Sequence, residues 1–199
     1  MTKTQLRWIK GGIGVALLAL LVFGVSRGLE RLFRPRTTLT DTAVRPATQP
    51  TAVPHITATL FYVTADGQAI AGVRREVPLA AGTVAQGRAI MNAQLEAPPP
   101  GFLSAIPSGT LVRAFYITGQ QDAFVDFSPE LSTRHPGGST TELLTVYAIV
   151  NAVIANLPAI QRVQILIGGK EVDTLAGHVD LRRPLRLDLS LVKIAAPPG

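Results

Sequence analysis

Asp126, Ser128 and His135 place an acid, a hydroxyl and an imidazole in one short stretch, the residue types of a hydrolase triad. The surroundings do not support that chemistry. No G-x-S-x-G elbow encloses a serine, and no acid is placed to orient His135. Ser128-Pro129-Glu130 reads instead as a turn built by a hydroxyl and a fixed proline angle. The histidines are His55, His135 and His178, and none has a second His or Cys at metal-ligand spacing. His178 and Asp180 would meet a metal only with help from elsewhere in the chain. There is no EF-hand loop, no H-E-x-x-H and no phosphate-binding glycine loop, since Gly11-Gly12-Ile13-Gly14 lies in an apolar run. The sequence predicts a chain that is not an enzyme and uses no cofactor and no metal.

The conspicuous polar segment is His135-Pro136-Gly137-Gly138-Ser139-Thr140. Glycines before a helix leave free amides that can hold a carboxylate or a sugar, and Arg134 beside them favours an anion. A tight bend with glycine at positive φ, followed by a capped helix, explains the same residues. The candidate interaction or ligand site is therefore Asp126, Ser128, Glu130, Arg134, His135, Gly137, Gly138, Ser139 and Thr140.

Residues 58–64 are aromatic and β-branched and stop at Asp66-Gly67, which predicts a strand. Residues 73–79 form a short second strand. A helix runs from Thr83 to Leu95, with Thr83 and Gln86 at capping-box spacing and Val84, Met91 and Leu95 on one face. Residues 110–117 alternate, placing Leu111, Phe115 and Ile117 on one side with Arg113 among them. They pair as a hairpin with residues 123–127, where Ala123, Val125 and Phe127 share a face and Asp126 points away. Ser139 and Glu142 satisfy S-x-x-E, the start of a helix whose Leu143, Val146, Tyr147, Val150, Val153, Ile154 and Leu157 make one broad apolar face ending at Pro158. Residues 161–167 are a buried-type strand, Gly168-Gly169 a tight turn, and residues 170–175 the return strand. Leu185, Leu187 and Leu189 alternate with Arg186 and Asp188, as an edge strand open to another chain or as a final strand already paired. The fold expected is α+β: a small mixed or antiparallel sheet with two helices on one face, β-α-β-β-α-β plus a terminal hairpin, preceded by one transmembrane helix.

A net charge of +6 and a pI near 10.3 suggest nucleic acid at first sight. The distribution excludes it. Before residue 60 there are eight Lys/Arg against Glu30 and Asp41; afterwards eleven basic residues balance eleven acidic ones. The excess flanks residues 11–26, which carry no charge, a membrane pattern. That run spans about 24 Å as a helix, short of the ~30 Å hydrocarbon core, but Lys10 and Arg27 can snorkel and Trp8 suits the interface. Residues 1–10 are then a basic tail, 11–26 a signal-anchor, 27–57 a Pro/Thr-rich tether containing Pro35, Pro46, Pro50 and Pro54, 58–194 the domain and 195–199 a flexible tail. A cleaved signal peptide, giving a secreted domain, is the rival reading of the same residues.

VDFSPEL, HPGGSTTELLTVYAIVNAV and VQILIGGKEVDTLAGHVDL, in that order, resemble the GerMN domain, a family named for a spore-germination and sporulation protein. The resemblance covers roughly residues 58–192 and is strongest over 124–184. It implies a single copy of a non-catalytic, extracytoplasmic assembly module. From it follow the expected partners, a protein of the cell envelope or a second copy of the chain; the alternative, peptidoglycan or a small anionic ligand, rests on the Gly137-Gly138 helix start. Together with the apolar run at 11–26 it gives a single-pass inner-membrane protein, whose domain the resemblance places outside the cytoplasm. The chain has no Cys, so it departs from those family members that are lipoproteins.

Overall fold

A computed structural model of the chain describes residues 53–193. The expected membrane segment at 11–26, the basic tail before it, the tether up to residue 52 and the tail 195–199 lie outside the described residues. No helix among the described residues is long and apolar enough to cross a membrane.

The fold is α+β with two sheets, where one was expected. In the first, β1 (His55–Thr64) forms a hairpin with β2 (Ile70–Pro78), running in register from His55 opposite Pro78 to Val63 opposite Ile70. Its strand order is β2-β1-β3, with β3 (Phe102–Leu103) a short addition that pairs with Val63 and Thr64. The second sheet has order β4-β5-β6-β7, from β4 (Val112–Ile117), β5 (Asp122–Phe127), β6 (Arg162–Ile167) and β7 (Lys170–Glu171). The hairpin expected between β4 and β5 is present. β5 and β6 are parallel, because two helices separate them in sequence: α2 (Glu130–Thr133) and α3 (Ser139–Asn156). α1 (Thr83–Gln94) lies between β2 and β3. α3 packs against β1 and β6, and α1 against β4, β1 and α3, so the helices tie both sheets into one core.

β1 has only a short partner on its β3 side, and side chains complete the ladder. The Gln94 amide accepts from Phe61 N–H at 2.9 Å and donates to Phe61 C=O at 2.6 Å. Asn156 does the same for Thr59, at 2.8 and 2.7 Å. Each amide copies the donor–acceptor pair of a neighbouring strand, so the buried backbone groups are satisfied without one.

Several local expectations are corrected. A β-bulge lies between Val112 and Ala114, so Arg113 is the extra residue and the alternation changes phase. Val112 and Phe115 are therefore buried, while Leu111 is exposed. The α1 face is Ile90, Met91, Ala93 and Gln94, and Val84 is exposed near its start. Leu144, Val146 and every residue from 148 to 153 in α3 are buried, an envelope much wider than one stripe, because this helix meets both sheets. The strand expected after Gly168-Gly169 ends at Glu171. The expected terminal strand reduces to one antiparallel bridge, Leu185 to Val163, and Leu187 and Leu189 remain exposed.

Neither capping box forms. Gly82 and Gly138 are the N-caps of α1 and α3, and neither helix has a side-chain cap. Gln86 does reach back, to Ala80 N–H and Pro78 C=O, but without a Thr83 partner. Glu142 turns the other way.

Candidate functional site

Glu142 is the most constrained ionisable group of the site region. It lies in the first turns of α3 and is fully buried. Its Oε1 accepts from Leu175 N–H at 2.8 Å and Ala176 N–H at 2.9 Å; Oε2 accepts from His178 N–H at 2.9 Å and faces His178 Nδ1 at 3.1 Å. Burial pushes the carboxyl upward, but the amides of Ala176, His178, Val179 and Leu175 together outweigh it and hold the pKa below the ordinary value. The carboxylate is thus the centre around which the loop after β7 folds. Ser132 of α2 joins it, donating from Oγ to Leu175 C=O at 2.8 Å.

The residues singled out in the sequence sit around this centre but do not converge on one point. Asp126, at the end of β5, is buried rather than turned to solvent. It accepts from Gly169 N–H at 2.7 Å and lies 3.5 Å from Arg113 Nε, fixing the β6–β7 turn against β5. Gly168 and Gly169 have φ of 62° and 78°, which that tight turn requires. Ser128 accepts from Leu111 N–H at 3.0 Å and extends the β4–β5 pairing. A hydrogen bond from Ser128 also holds the Glu130 carboxyl below its ordinary value, helped by the backbone of α2. The exposed Arg134 donates to Ser108 C=O at 3.2 Å, beside Gly109.

His135 is held on both nitrogens. Gly137 N–H donates to Nδ1 at 3.0 Å, so the proton sits on Nε2 and faces Thr145 Oγ1 at 3.1 Å. Thr145 spends its own hydrogen on Ala105 C=O at 2.6 Å or Thr141 C=O at 2.9 Å. Burial lowers the imidazole pKa against the opposing pull of the Glu142 charge, and the ring is neutral. Gly137 and Gly138 take φ of 82° and 86° to enter α3, and Ser139 and Thr140 are exposed on its first turn.

Ser128, His135 and Asp126 make no hydrogen bond to one another; each is engaged with backbone or with a different partner. Among the described residues no buried polar side-chain atom lacks a partner, and no three metal-ligating side chains cluster. Glu142, Thr145 and His178 were missed as a group. The available signal was a glutamate inside an otherwise apolar helical face, which the S-x-x-E spacing explained away.

The model of the family Germane, described as sporulation and spore germination, matches residues 59–173, more than half of the chain. The chain belongs to the Germane family. Two solved structures share the Germane fold with it. One is the first GerMN domain of the sporulation protein GerM from Bacillus subtilis, at 19% identity and TM-score 0.52, covering 66% of this chain and 97% of that one. The other is the tandem GerMN domains of the same protein, at 19% identity and TM-score 0.51, covering 64% of this chain and 44% of the tandem structure. This chain thus spans less than half of the tandem protein, and at such identity the likeness concerns the fold. No curated protein matches the chain.

Proposed function

We propose that this chain is a membrane-anchored, extracytoplasmic and non-catalytic Germane module that serves protein interaction in assembly of a cell-envelope complex. One observation carries the reading. The segment richest in polar residues, around α2 and the start of α3, turns Asp126, Ser128, His135 and Glu142 inward onto backbone groups and leaves Arg134, Ser139 and Thr140 exposed. Side chains consumed in holding turns are unavailable for acid–base work, while a rigid, exposed surface is what a partner requires. The charge-free residues 11–26 between basic flanks support anchoring, and the family's link to sporulation supports a place in the envelope.

A photo-crosslinking amino acid placed at Arg134 or Thr140 in intact cells tests the interaction. A discrete protein adduct, lost when an unlabelled domain is supplied in excess, is the expected result; no protein adduct at either position overturns the reading. Hydrolysis of peptidoglycan or a model ester that disappears in Asp126→Asn or His178→Ala would overturn the non-catalytic assignment. Protease added to spheroplasts should remove residues 58–199, and protection would reverse the topology.

A further inference from the structure

We propose that the outer edge of β2 is a self-pairing surface, through which two copies of this chain join antiparallel with Arg74 of each opposite Glu76 of the other. The proposal rests on the assembly reading above and names its contact. β2 ends the sheet order β2-β1-β3. Ile70 N–H donates to Leu191 C=O at 3.0 Å and Ile70 C=O accepts from Lys193 N–H at 2.9 Å, so the groups of Ile70 face away from β1. Strand alternation turns the N–H and C=O of Gly72, Arg74 and Glu76 the same way. The opposite phase on β1 agrees, since Thr59 and Phe61 face Asn156 and Gln94. Among the described residues, Gly72, Arg74 and Glu76 find no backbone partner on that edge.

Two other strands are blunted. Gln94 and Asn156 complete β1, and a bulge interrupts β4 at Arg113. Past Ile70, where residues 191–193 cover it, the β2 edge has neither device among the described residues, and its side chains select an occupant. In a two-fold antiparallel pair with Arg74 opposite Glu76, each Arg74 exchanges backbone hydrogen bonds with the second copy's Glu76 and meets an opposite charge. Both side chains are exposed. Shifting the register to place Arg74 opposite itself brings like charges together, which is unfavourable. Arg75 falls on the two-fold axis, but its guanidinium is drawn back within its own chain, to Glu96 at 3.4 Å and Ala97 C=O at 2.9 Å. The edge is therefore self-complementary in one register.

The chain has no cysteine, so register can be read by introduced ones. Full-length Arg74→Cys and Glu76→Cys chains with different tags are co-expressed, and their membranes oxidised. Hydrogen-bonded antiparallel partners lie about 5.5 Å apart at Cα, within disulfide reach. The mixed disulfide should exceed either self-link at least about fivefold. In an Arg75→Cys background, Arg74→Glu alone and Glu76→Arg alone should each cut the self-link about tenfold, and the double exchange should restore it. No mixed disulfide, dominance of an Arg74→Cys self-link, or failure of the exchange to restore linking overturns the pairing. An intramolecular link in an Arg74→Cys/Ala196→Cys chain that replaces the intermolecular one would assign the edge to the chain's own tail and also overturn it. If pairing fails while the cellular crosslinks at Arg134 or Thr140 persist, the edge contact falls and the interaction reading stands.

Discussion

Replacing Glu142 by Gln isolates the charge that organises the loop after β7. The amide oxygen can still accept from Leu175 and Ala176, but the amide nitrogen then meets His178 N–H, donor against donor. Charge-assisted bonds contribute roughly 1.5–3 kcal/mol each, and a buried donor left unpaired costs about 1–3 kcal/mol. A loss of about 2–4 kcal/mol follows, a shift of roughly 1–2 M in urea midpoint for slopes near 2 kcal/mol/M. Urea titration followed by near-ultraviolet circular dichroism reads it through buried Tyr62, Phe61 and Phe127. The effect carries a pH signature. The folded pKa of Glu142 lies below its ordinary 4.5, so its stabilisation is complete above 4.5 and is lost as pH falls through the folded pKa. Wild type and Glu142→Gln should therefore differ fully at pH 7 and converge in acid. A difference under about 0.5 kcal/mol at pH 7, or one unchanged down to acid unfolding, refutes the buried-carboxylate account. Ser139→Ala is the companion test. Its side chain caps nothing, so its cost should stay within about 0.5 kcal/mol, and a loss near 1 kcal/mol would reinstate the capping box.

Three further outcomes are expected. Gln94→Leu strands the N–H and C=O of Phe61 and should cost about 2–4 kcal/mol by the same titration, with a near-neutral result removing the amide from the sheet. Gly87→Ala puts a methyl 2.5 Å from Phe115 Cζ; overpacking of about 1–3 kcal/mol should exceed the helical gain of about 1 kcal/mol, and Phe115→Leu should rescue it. His135 titrates below its ordinary 6.5 in the fold, so stability should be full above 6.5 and decline as pH falls towards the folded pKa. His135→Asn should flatten that limb above pH 5 in a pH-resolved unfolding series, and a limb that persists would assign it to another group.

What the sequence alone determined is what neighbouring residues decide between themselves. Gly137-Gly138 before an apolar run marked the start of α3, and Pro158 its end, because glycine alone enters that turn easily and proline cannot continue a helix. The Gly168-Gly169 turn and the β4–β5 hairpin were legible for the same reason, as was the family, whose residues lie in one contiguous block. The tertiary structure decided everything that depends on distant partners. Glu142 finds its amides 33 to 36 residues away, and the 3.6-residue period that placed it on α3 says nothing of them. Asn156 completes β1 from 97 residues away, and Gln94 from 33. The bulge at Arg113 shifts the buried set by one residue, which alternation cannot foresee. The split into two sheets arises only when α3 comes to lie against both β1 and β6. Side-chain amides substitute for missing strands only after the core has brought them there, and that is why the site is a property of the packing.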